Sequence, residues 1–264
     1  MTTLSPPLAP LPDALADALR LVKEAGYYVT RAHTEEDVRA SWNQLYGREE
    51  GTGFNLLAPD YEAIELDALA HGLANEGRFA GHTRVFLPVA IHCYRGSFLL
   101  NDPNDGIDFL FHDAAEGLGL RDLSRKIVRL PEMAFYRRLV NDTMGCVASR
   151  FRLRHEFWKR PRIVQVDDRM LEMEQRDYLA PPPENHRWGF WENRLSTRGR
   201  SVPQVAPCPP PLAKKLWLLR LAELGDSAGR TDLAIQAREI LSADLRDELA
   251  RSEHALPDVG EGVR

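Results

Sequence analysis

The stretch FLFHDAAEGLGLRDL, residues 109–123, sets His112 and Asp113 side by side behind an apolar triplet and adds a second acid, Glu116, one helical turn on. An imidazole and two carboxylates on so apolar a helix are costly to bury unless something binds them. That leaves an ion pair, a solvated helix end, or a metal. His92, in VAIHCY, is flanked by valine, alanine and isoleucine; alone, such a histidine is most often a satisfied core residue. In RIVQVDDRMLEMEQRDYL, Asp167 follows Val166 and stands four residues after Ile163, which puts it on the inward face. Asp168 falls about 100° further round and is the solvent acid. His92, His112, Asp113 and Asp167 together suit an octahedral site for one divalent ion, with positions left for water and substrate. Oxygen and imidazole donors without thiolate suit manganese, cobalt, iron, magnesium or zinc, and do not choose among them.

The elements that must position these groups read as helices. Thr34 opens a helical stretch, 34–45, in which Asp37 sits three residues on as a relative of the capping box. Residues 47–62 are rich in glycine and turn formers and read as loop. Ile64, Leu66, Leu69 and Leu73 recur near helical spacing, and VFLPVAIHCYRGSFLLN carries too many apolar residues for a surface helix, so it belongs at the centre of a bundle. NDPNDG, 101–106, starts the helix that ends in HDAAEG. A long helix is predicted from Pro131 to about Leu153, with Met133, Tyr136, Val140, Met144, Val147 and Phe151 as one stripe, and another from Pro161 to Leu179. Proline-rich stretches at 180–191 and 202–212 break the pattern before a helical tail from Leu212. A further helix is predicted over Leu15–Lys23, behind a loose proline-rich start at 1–11. Almost nothing alternates at period two, so the fold class is all-α.

Composition narrows the function classes. The 264 residues are 44% hydrophobic and 28% charged with a net charge of −5, ordinary for a soluble globular protein and without the basic field that bulk nucleic-acid binding requires. Cys93, Cys146 and Cys208 are widely spaced with no CxxC pair, which suits a reducing cytoplasm. The N-terminal residues lack the basic start of a secretory signal, and no run of 18 apolar residues suggests a membrane span. Cys93, next to His92, points about 100° away on a helix and reads as buried and inert. The run KRPR, 159–162, with Arg150, Arg152 and Arg154 upstream, reads as a solvated face, and Trp188 and Trp191 as packing of the tail on the core.

Three stretches then carry motifs in order: DYEAIELDALAHGLANEGRFAGHTRVFLPVAIHCY, with an acidic helix, an RF-x-GH turn and a histidine; HDAAEGL, an HD pair with its following glutamate; and VDDRMLEMEQRDYL, with an acid, a glutamate seven on and then an Arg-Asp pair. In these the chain resembles the HD-domain phosphohydrolases, in the branch of 5′-deoxynucleotidases and phage dATP triphosphohydrolases, over about half its length, Gly51 to Ala180. The resemblance implies an HD-domain helical bundle with helical extensions at both ends: 1–46 before the core, 47–180 the core, and 181–264 a proline-rich linker and C-terminal extension. It implies metal ligation by His92, His112, Asp113 and Asp167, acid/base work by Glu116, phosphate binding by Arg78, a nucleobase wall at Phe79, and a place near substrate for His82. Three positions depart from the family pattern. Pro88 stands where a serine is usual, and should start or kink its helix. The family's second acid comes five residues after the glutamate, where this chain has Arg121; Asp122, one further on, is the candidate. The lysine that follows falls near Lys126, also displaced by one.

The implied reaction is attack of water on the 5′-phosphate of a deoxynucleotide or on the α-phosphate of a triphosphate, with self-association expected by the same resemblance. The alternative is a degenerate domain that binds nucleotide or a protein partner without turnover.

Overall fold

A computed structural model describes residues 33–48, 50–180 and 208–255 of the chain. The helix predicted over Leu15–Lys23, the loose start and the two tail tryptophans lie outside these residues. The described fold is mostly helical, with a single two-stranded sheet among the described residues. None of their helices is long and apolar enough to cross a membrane.

The chain enters through α1 (Glu35–Ala40), whose capping box is formed as expected: Asp37 N–H donates to the Thr34 hydroxyl and Thr34 N–H to the Asp37 carboxylate. The helix does not continue to Leu45, however. It stops at Ala40, and Trp42–Leu45 is instead strand β1, paired antiparallel with β2 (Thr52–Asn55) in a stretch that reads as loop. Two local contacts decide this. Asn55 accepts from the Ser41 hydroxyl at 2.6 Å and donates to the Val38 carbonyl at 2.6 Å, tying the helix end to the far strand. Gly53 lies under the Trp42 ring, where a Cβ would come within 2.6 Å of it. Four-residue strands are too short for alternation to register in the sequence.

The core elements follow. Helix α2 (Leu66–Asn75) buries Leu66, Leu69 and Leu73, the predicted stripe, with Ile64 just before it. Pro88 sets the start of α3 (Val89–Ser97) rather than kinking it, and α3 is buried along nearly its whole length. Helix α4 (Pro103–Phe111) is capped by Asp102 and crosses α3 so closely that a Cβ on Gly96 would lie 2.1 Å from the Phe109 ring. A π-helical turn, Glu116–Leu120, comes next. It is seated on α2 through a glycine pair, since a Cβ on Gly72 would meet the Gly117 carbonyl at 1.9 Å. Short α5 (Arg125–Val128), α6 (Ala134–Arg150) and α7 (Pro161–Tyr178) complete this part. Met144, Val147 and Phe151 are the buried part of the long stripe.

Helix α8 (Pro210–Ser227), in the tail, touches α2, α3 and α4, and pairs with α9 (Thr231–Ala255). Trp217 is wholly buried there and its indole donates to the Leu110 carbonyl at 3.0 Å. Burying so large a ring stabilises by about 3 kcal/mol, so the helix read as an extension is structurally central.

Candidate metal centre

His92 lies within α3, His112 and Asp113 directly follow α4, and Asp167 lies in α7. The helices bring the four side chains together. The two Nε2 atoms stand 3.3 Å apart. Asp167 Oδ1 is 3.3 Å from His92 Nε2 and 3.7 Å from His112 Nε2. Asp113 offers Oδ1 at 3.3 Å to His112 Nε2 and Oδ2 at 3.6 Å to His92 Nε2.

The outer nitrogens fix what faces inward. His112 Nδ1 is 2.7 Å from the Phe109 carbonyl, which can only accept, so Nδ1 carries the proton. His92 Nδ1 is 3.0 Å from Glu174, whose carboxylate likewise accepts. In the neutral imidazoles both Nε2 lone pairs therefore point at each other and at two carboxylates. Such an arrangement is repulsive until a cation or protons enter it. Asp113 Oδ2 is buried with no hydrogen-bond partner, an acceptor left for such a cation. His92, His112 and Asp167 can hold an ion together, so the donor set fits a divalent metal. Without one, protons take its place. Burial and Arg78 lower the His92 pKa but Glu174 and Asp167 outweigh them, raising it to about 9. Burial opposes the charge of His112 too, but Asp113 and Asp167 raise it to about 9. Burial works against the Asp167 charge, yet the two histidines hold its pKa well below the usual carboxylate range.

Arg78 stands beside this centre, buried, with Nη1 3.3 Å from Asp122 and 3.6 Å from Asp113, and Nε 3.4 Å from Glu174. Its place is set by the backbone: Arg78 N–H donates to the Leu87 carbonyl and Val89 N–H to the Glu76 carbonyl, so the turn ahead of α3 closes on itself. Phe79 and Ala80 then take left-handed φ values of 55° and 51°, costly for non-glycine residues. Asp122 holds that turn by accepting from Phe79 N–H at 2.6 Å.

Asp122 follows a π-helical turn at 116–120, in which Gly119 takes φ 105°, and from there its carboxylate reaches Arg78. Glu116 begins this turn, and its Oε2 is buried without a hydrogen-bond partner. Burial, then Asp113 and Asp122, push its carboxyl well above the ordinary range, which favours the protonated form.

Other predicted residues fall differently. Phe79 is half-buried under the Arg78 guanidinium, 5.6 Å from its ring centroid. His82 is exposed, and Lys126 is exposed on α5. It is Arg125 whose guanidinium reaches both Asp167 and Asp168, the latter half-exposed as expected. Sequence reasoning assigned no role to Arg125, to Glu76, which takes Arg121 at 2.8 Å and Asp122 N–H at 3.2 Å, or to Glu174. Glu174 did carry a signal, since seven residues after Asp167 return it to the same helical face. Cys93 is buried as expected, but its sulfur lies 3.8 Å from His112 Nδ1, at the edge of the cluster.

No family model matches the chain, and no curated protein matches it.

Proposed function

We propose that the protein is a metal-dependent phosphohydrolase of HD-domain type, acting on the 5′-phosphate of a deoxynucleotide or the α-phosphate of its triphosphate. One observation carries the reading: His92, His112, Asp113 and Asp167 converge with both imidazole lone pairs turned inward. A divalent ion there, one of manganese, cobalt, iron, magnesium or zinc, supplies Lewis-acid polarisation of a phosphoryl oxygen and a water acidified to near neutrality. The chain's own groups do the rest. Arg78 offers its guanidinium to the equatorial phosphoryl oxygens, and Arg125 keeps Asp167 turned toward the centre. As the phosphorus–oxygen bond to water forms and the ester bond breaks, Glu116 gives its proton to the leaving oxygen and later takes one from the water. Asp122 holds Arg78 and the Phe79 turn, whose ring offers a face to the base.

The test is release of phosphate or triphosphate from a panel of deoxynucleoside mono- and triphosphates with Mn²⁺ or Co²⁺, against EDTA. EDTA-sensitive release supports the reading, and none from any substrate with either ion removes it. Glu116→Gln is expected to keep the ion and lower kcat roughly 10²–10⁴-fold; unchanged turnover would take Glu116 out of the reaction.

One observation favours a second reading, a domain that binds nucleotide or a protein partner without turnover. Arg78 is already engaged by three carboxylates, which an incoming phosphate must displace. Nucleotide binding without release in the same assay selects it. The three cysteines are all free thiols, in keeping with a cytoplasmic protein, and self-association belongs to the same proposal by resemblance.

A further inference from the structure

We propose that Glu174 is a positioning residue that sets the His92 imidazole and the Arg78 guanidinium at once, so that one carboxylate assembles both the cation site and the anion site; this rests on the phosphohydrolase reading above. The Glu174 side chain is wholly inaccessible to solvent. Its Oε1 lies 3.0 Å and its Oε2 3.1 Å from His92 Nδ1, and Oε2 lies 3.4 Å from Arg78 Nε. A carboxylate can accept on both oxygens, so it serves the two donors together. Holding the His92 proton on Nδ1 leaves the Nε2 lone pair for a cation and makes it the stronger ligand. Holding Arg78 by Nε fixes the plane of the guanidinium, so that its Nη1 edge faces Asp113 and Asp122 on the side of the cation site.

The position asks for this role. Glu174 shares the face of α7 with Ile163, Val166, Met170 and Met173, all buried. An ionised carboxylate on such a face costs several kcal/mol unless paired. Its partners are His92 and Arg78, with the buried Arg95 adding its field from α3, and together they keep it charged against the burial that opposes that charge. A core-facing methionine or leucine would pack there more cheaply; the carboxylate is explained by what it holds.

An amide separates the two duties, because glutamine has one acceptor oxygen and its NH₂ opposes a second donor. The probes are Zn²⁺, titrated calorimetrically, inorganic phosphate, titrated into the Zn²⁺-loaded protein, and imidazole ¹H–¹⁵N spectra of the metal-free protein taken above pH 9, where His92 is neutral and the spectra report which of its nitrogens is protonated. Wild type is expected to bind Zn²⁺ and, when metal-free and neutral, to carry the His92 proton on Nδ1. Glu174→Ala is expected to weaken Zn²⁺ about 10–100-fold and to lose the single tautomer. Glu174→Gln, nearly isosteric, is expected to turn its oxygen to His92, keeping the tautomer and Zn²⁺ affinity within about threefold, while phosphate affinity falls roughly tenfold with the lost hold on Arg78. Unchanged phosphate affinity in Glu174→Gln overturns the proposal, and so does an unchanged tautomer in Glu174→Ala. Should the alanine variant fail to fold, the glutamine variant decides. A wild-type protein that takes up no Zn²⁺ defeats the metal reading itself, which is a separate result.

Discussion

Helix α4 carries polar groups toward two different fates. Near its start, Asp105 and Asp108 are buried but face Arg154, Arg160 and Arg162 across from the chain around α7: Arg154 pairs with both acids at 2.6 Å and Arg160 at 2.9 and 3.2 Å. At its end, His112 and Asp113 join Asp167, Asp122 and Glu174, with Arg78 and Arg125 as guanidinium partners among those four acids. The first cluster has its countercharges built in as side chains. In the second, carboxylates outnumber guanidiniums, and the neutral imidazoles turn lone pairs toward them, which a cation or protons must fill. Equal burial thus says little about function; the sign of what is left over says more. The KRPR run, which reads as a solvated face, is half an ion-pair network, with Arg154 and Arg160 only about one-third exposed.

The sharpest break of this comparison is Asp113→Ala. It should abolish bound metal and turnover together, a loss of activity of about 10³-fold or more, with helix content by circular dichroism nearly unchanged. Retained metal at wild-type stoichiometry would remove Asp113 from the centre. The matching change in the other cluster is Arg154→Ala, which strips the best-placed cation from Asp105 and Asp108. It should cost about 1–3 kcal/mol in denaturant unfolding and leave metal uptake alone, and a fall in metal content would show that the clusters are not separate.

A smaller effect separates them by pH. His92 and His112 have folded-state pKa values of about 9 without a cation, above the ordinary 6.5. The stability they contribute is complete below pH 6.5 and is lost as pH rises toward 9. The metal-free protein should therefore weaken over that window, by about 1–3 kcal/mol, whereas the arginine pairs do not titrate there. Bound ion should flatten or reverse the slope, since protons then compete with it. Smallest of all is Arg162→Ala: this side chain is more than half exposed and 3.6 Å from Asp105, so its loss should change stability by under about 0.5 kcal/mol. A larger loss would mean that the first cluster is less complete than its distances indicate.

Much of the centre was legible because its residues obey helical arithmetic. Asp167 follows the apolar face marked by Ile163 and Val166, and His92 stands in a segment too apolar to be anything but central. Arg125 and Glu76 were not legible, because each acts on a residue more than forty positions away in the chain, and no local pattern records such a pairing. The β-hairpin escaped for a related reason: its strands are short, and Asn55 and Gly53 make it through contacts across a turn.

The sequence by itself determined the helical class, the inward faces, the end of α1's cap and the residue types able to hold a cation, since periodicity and side-chain chemistry are local properties. Only the tertiary structure decided that α8 lies at the centre, that Asp122 meets Arg78 from beyond a π turn, and that Glu174 stands between His92 and Arg78. Those outcomes depend on where separate helices cross, and a crossing is fixed by the packing of whole surfaces, which no single stretch of chain contains.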